Sequence, residues 1–198
     1  MTEKNLRTHL RSVAVAATVA LGGFAITACT TTPPHAAQPA VVVNRTSVDS
    51  QVDATLARLY TAVPGSRDMV QRAAGVLVFP AVVGGSFIVG AEHGQGALRV
   101  GGRSVDYYST TSGSIGFQAG AQSKAVIYVF NSADALKKFR ASEGWNAGVD
   151  GTVAIGTVGA NGMVDTQTAQ QPVTSFVLTN AGLEAGVSVQ GSKITRIK

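Results

Sequence analysis

One cysteine in 198 residues excludes an internal disulfide and any cysteine-based zinc cluster. Three histidines leave little for metal chemistry, and no cofactor is expected. Charge is scarce too. The charged fraction of 14% lies well below the roughly 25% of an average globular protein. Apolar residues are not scarce: at 45% they supply a core and argue against disorder. The 23 glycines argue against a helical bundle, because glycine inside a helix costs about 1 kcal/mol relative to alanine.

Residues 1–28 read as an export signal. Lys4, Arg7 and Arg11 form a positive n-region, and Val13 to Ile26 is an uncharged, mostly apolar run. That run is short of the ~20 residues that span a bilayer as a helix and suits a signal h-region. It ends in Ile26-Thr27-Ala28-Cys29. This resembles the lipobox of bacterial lipoproteins, in which small residues admit the peptidase and the thiol takes the lipid. Cys29 is therefore the expected lipidation site. Residues 29–46, rich in Thr, Pro and Ala, cannot pack a core and suit a tether. By resemblance to Gram-negative lipoproteins, Thr30 after the cysteine implies sorting to the outer membrane. Two or more acyl chains anchor stably. Removing Lys4, Arg7, Arg11 and Glu3 from the 16 basic and 11 acidic residues leaves 13 and 10, a net charge of +3. That is too weak to argue nucleic acid, and export argues against it further. It permits attraction to anionic lipid.

From Ser47 onward the pattern turns helical. Val48, Val52, Leu56, Leu59, Tyr60 and Val63 recur at spacings of three and four. Ser47 can cap this helix and Pro64-Gly65 stops it. Ser66 can cap a second, short helix that ends at Gly75. The period then becomes strand-like. Val76 to Phe79 reads as a buried strand. Ser86 to Ala91 and Ala97 to Val100 flank Glu92-His93-Gly94-Gln95-Gly96, a hairpin-turn composition. Strands are expected over 104–109 and 114–121. In the second, Gly116 and Gly120 share a face open to close backbone approach. Ala125 to Phe130 is the candidate central strand. Asn131 or Ser132 caps a helix near 133–142, with Leu136 and Phe139 inward. Residues 149–155, 172–178, 183–189 and 192–197 are expected as strands, and 156–171 as a loop. The sum is one α+β domain over 47–198. Its glycine-rich sheet is mainly antiparallel, with a small N-terminal helical face.

Catalytic motifs are weak. His93 is the only histidine of the folded part and sits beside Glu92 in the expected turn. There is no Gly-x-Ser-x-Gly elbow. Gly94-Gln95-Gly96 is a fragment of a dinucleotide fingerprint that lacks the following helix. The carboxylates are scattered, and most lie at turns or helix starts. No enzyme activity is expected. Basic residues gather loosely: Arg67 and Arg72; Arg99 and Arg103; Lys137, Lys138 and Arg140; Lys193, Arg196 and Lys198. Cations beside an aromatic suit an interfacial lipid site, with the ring in the headgroup layer and the cation on phosphate. The candidate lipid contacts are Lys137, Lys138, Arg140, Trp145, Lys193, Arg196 and Lys198.

The glycine pattern resembles a known family. Ala74-Gly75-Val76-Leu77-Val78-Phe79-Pro80, followed by Gly84, Phe87, Gly90, Gly94 and Gly96, resembles the opening of the SYLF domain. Ser114 to Gly120, Ala125 to Phe130 and Asn131-Ser132 are similar to its middle. Asn146 to Val149 and Ala181 to Ser192 are similar to its end. The resemblance runs from about residue 55 to the C-terminus. It implies phospholipid binding, often of phosphoinositides in eukaryotic members, some of which bind actin filaments. It implies no catalysis. In eukaryotic members an amphipathic N-terminal segment and basic residues serve the lipid. Here the corresponding stretch, Ser47 to Val63, carries only Arg58, against Asp49 and Asp53. The expected function is that of a lipid-anchored envelope protein whose domain binds membrane phospholipid. The alternative is an interaction lipoprotein with a protein partner, of the actin type only if it reaches a host cell. An enzyme acting on envelope lipid is a third reading.

Overall fold

The computed structural model describes residues 44–85, 89–115, 121–159, 163–184 and 189–198. The leader, Cys29, most of the tether, Gly116 and Gly120 lie outside these residues. What is described is an α+β domain. Helices α1 (Arg45–Ala62) and α2 (Ser66–Arg72) come first. Four long strands follow: β1 (Gly75–Gly85), β2 (Val89–Val100), β3 (Arg103–Ile115) and β4 (Ala121–Phe130). After helix α3 (Ala133–Ala141) come the short strands β5 (Trp145–Asn146) and β6 (Ala154–Ile155) and a helical turn, α4 (Thr166–Ala169). Strands β7 (Val173–Thr179), β8 (Gly182–Leu183) and β9 (Lys193–Arg196) end the chain. One sheet holds them in the order β5-β9-β3-β2-β1-β4-β7-β6, with β8 beside β7. Every pair is antiparallel except β6 with β7.

The continuously apolar runs are explained by burial on both faces. Val76 and Val78 point toward α1 and α2, where Val52, Leu59 and Met69 pack. Leu77 and Phe79 point the other way, toward Leu136 and Phe139 of α3. In β4, Ile127 and Val129 share the first face, and Tyr128 and Phe130 the second. Strand alternation thus divides one run between two cores.

Several local expectations change. Helix α1 begins before Ser47, because the Asn44 side chain accepts the Ser47 N–H at 3.2 Å. Residue Gly75 opens β1, and α2 ends at Arg72 with Ala73 as its C-cap. Glu92 to Gly96 is the middle of β2, not a turn. The β2–β3 turn is Gly101-Gly102, whose φ angles of 57° and 77° suit the two-residue hairpin turns that match strand twist. Residues 149–155 form a strand only at Ala154–Ile155. Before it the chain turns, and the Asp150 carboxylate accepts the Asn146 N–H at 2.6 Å. Of 183–189, the described part is strand only at Leu183.

Helix α1 is docked by its acids. Asp49 accepts from Ser104 Oγ at 2.6 Å and from the Tyr107 hydroxyl at 2.9 Å. Asp53 pairs with Arg99 at 2.9 Å. With Val48, Val52 and Leu59 buried, the apolar face of α1 packs into the core. Asp49→Ala strands two partly buried donors. It is expected to cost about 1–3 kcal/mol in urea unfolding, with Asp53→Ala, whose carboxylate is well exposed, costing less.

Candidate functional site

Helix α3 carries the candidate cations. The Ser132 hydroxyl caps it by accepting the Ala135 N–H at 3.1 Å. Lys138 and Arg140 lie in its last turn, where cations suit the helix dipole. Leu136 and Phe139 are buried, which fixes the rotation of the helix. Lys137 and Arg140, three apart, then flank a surface cleft of about 540 Å3. Its floor is Ala74, Ala133, Leu136 and Ala141, and Arg196 of β9 completes the rim. Arg196 gets there by alternation: it shares a strand face with buried Ile194.

Asp106 of β3 ties two of the cations together. Its Oδ2 accepts from Arg140 Nη2 at 3.1 Å and its Oδ1 from Arg196 Nη2 at 2.6 Å. The hydrogen bond to Asp106 raises the Arg196 pKa above its ordinary value. Such partly exposed pairs contribute little to stability, at most about 1 kcal/mol each. Their effect is positional. Three cations and one anion leave the rim net positive beside an apolar floor, and that combination suits an anionic amphiphile.

The other candidates are placed elsewhere. Lys138 is exposed and does not line the cleft. Lys193 lies on the opposite face of β9 from Arg196, and Lys198 is exposed at the C-terminus. Trp145 requires a correction: it is 3% exposed, with ring centroids of Phe139, Tyr128 and Phe130 at 5.5, 6.0 and 6.4 Å. It is a core residue and does not present its ring to a headgroup layer. His93 is exposed in mid-strand. Among the described residues no group of three His, Cys, Asp or Glu could hold a metal. Also among them, no helix is long and apolar enough to cross a membrane.

Sequence reading missed two groups. One is Asp106, whose partners are 34 residues away at Arg140 and further at Arg196. The other is an ion pair inside the sheet. Lys124 Nζ lies 2.9 Å from Glu92 Oε2 and 3.0 Å from Oε1. Glu92 is the acid that the turn composition placed at a loop.

Comparison with curated proteins gives no match. Residues 111–198 match the family model described as Ysc84: Las17-binding protein actin regulator. That stretch opens inside β3 and holds β4, α3, β9 and therefore most of the cleft, whereas the pattern quoted for residues 74–96 falls before it. This match over residues 111–198 supports membership of the SYLF domain family.

Proposed function

We propose that the protein is an exported lipoprotein, anchored through Cys29, whose domain binds anionic phospholipid and catalyses no reaction. The observation that carries this reading is the convergence of Lys137, Arg140 and Arg196 on one cleft with an apolar floor. A phosphate would sit at the two guanidiniums, and glycerol and proximal acyl carbons would cover Ala74 and Leu136. Phosphoinositide headgroups, with more than one phosphate, would use the third cation. The family description favours a second reading, in which the domain contacts a protein partner of the actin-regulating kind and the lipid anchor alone holds the membrane.

Vesicle sedimentation separates the two. The chain carrying Cys29→Ser, which cannot be acylated, is expected to pellet with anionic vesicles and not with neutral ones. Replacing Lys137, Arg140 and Arg196 together by Gln removes three cations and frees one anion. At about 1 kcal/mol per basic residue near the surface, affinity should fall by about 2 kcal/mol or more, roughly 30-fold. Added salt should weaken the wild type in the same direction. If the Cys29→Ser chain stays in the supernatant with anionic vesicles, the interaction reading stands instead.

A further inference from the structure

The inner face of the curled sheet holds a second cavity, of about 170 Å3. Strand register builds it. Glu92 lies across from Ser112 on one side and from Gly84 on the other. Lys124 lies across from Val82, the next residue on that face of β1. The Glu92–Lys124 pair therefore spans β1 from β2 to β4. Gly84 makes this crossing feasible, because a Cβ there would stand 2.7 Å from Glu92 Cγ. Around the pair, Thr110, Ser112 and Ser192 bring hydroxyls, and Val82, Val126 and Val189 bring apolar wall.

The side chains of Glu92 and Lys124 are only 19% and 23% exposed. Glu92 Oε2 takes Ser112 Oγ at 3.0 Å as well as Lys124, and Oε1 takes Lys124 at 3.0 Å. An ammonium has three donors and a carboxylate about four acceptor sites. Both charged groups line the cavity. Net charge there is zero. A free anion would meet Glu92 and a free cation Lys124, and an apolar guest would deprive the pair of hydration at a cost. A vicinal diol suits such a pair, with one hydroxyl donating to the carboxylate and its neighbour accepting from the ammonium. The volume corresponds to about six waters at their liquid volume, too little for a lipid headgroup with its chains.

We propose that this cavity is a binding site for a compact, neutral polyhydroxyl ligand of monosaccharide size or below. It is separate from the α3–β9 cleft and does not depend on the lipid reading. The test is an amide NMR titration of the intact chain with glucose, with acetate as the charged control. Saturable shifts are expected at Glu92, Ser112, Lys124 and Ser192 with glucose and not with acetate. Ser112→Leu fills the cavity and should abolish them. Glu92→Gln keeps the shape, removes the negative charge and should weaken glucose at least tenfold while admitting acetate. The proposal is overturned if glucose produces no saturable shift, or if its shifts persist in folded Ser112→Leu. Should Ser112→Leu not fold, unchanged glucose affinity in Glu92→Gln overturns it.

Discussion

Gly96→Ala is expected to destabilise the domain by about 3 kcal/mol, at the upper end of overpacking costs. The reason is a close approach between two interior strands. Register between β1 and β2 slips between Val78 and Ala81, and the bulge pushes the Val78 carbonyl over Gly96. An added Cβ would overlap that carbonyl oxygen and press on the Phe79 ring. Backbone in the middle of a sheet cannot move aside as a flexible side chain can. Gly94→Ala meets the Ala81 carbonyl at 2.7 Å and should follow in the same direction. Gly113→Ala is the control, since nothing lies within 4 Å of its Cβ. It should be neutral or slightly stabilising, because alanine costs less backbone entropy than glycine. Urea unfolding of the three variants decides the matter. Equal stability of Gly96→Ala and Gly113→Ala would show that the bulge relaxes freely. For a domain with a typical total of about 5–15 kcal/mol, the expected loss is a large fraction.

The same glycines show where sequence reading succeeds and where it stops. Periodicity locates α1, and the Ser132 cap with its inward Leu136 and Phe139 locates α3. Unbroken apolar runs locate β1 and β4. These signals are local, and each is carried by the residues that make the contact. The stretch Glu92 to Gly96 defeats local reading because its glycines and charge resemble a turn. Their reason is non-local: Gly94 and Gly96 clear room for the bulged β1, and Glu92 reaches over Gly84 to Lys124. Gly101-Gly102, the real turn, carries the glycine signal without the polar company. The cleft was legible in part. Lys137 and Arg140 stand on one helix at a visible spacing. Arg196 joins them only through the pairing of β9 with β3, from Tyr108–Arg196 to Thr111–Lys193. Asp106 joins through the same strand, and no short motif records either partnership. Alternation also sends Lys193 away from Arg196, so a basic tail that reads as one patch is divided between two faces.

Trp145→Ala is expected to cost about 3–5 kcal/mol, the range for deleting a large buried aromatic. Placing this ring on the surface would give the opposite pattern of results. Beyond buried area, its edge-to-face contacts with Phe139 and Tyr128 add about 0.5–1.5 kcal/mol per pair. Phe139 in turn stacks at 4.9 Å against both Tyr108 and Phe130. The cluster therefore joins α3, which carries most of the cleft, to β3, β4 and β5. Loss of the indole should loosen the seat of α3 and lower vesicle binding only as far as it lowers the folded fraction. Trp145→Phe keeps most of the packing and should leave vesicle binding at the wild-type level. Because Trp145 is the only tryptophan in the chain, fluorescence offers an independent reading. Its emission should already be blue-shifted in buffer and should not move when anionic vesicles are added. A vesicle-dependent blue shift, together with a Trp145→Ala variant that melts like the wild type but no longer pellets, would return the indole to the membrane interface.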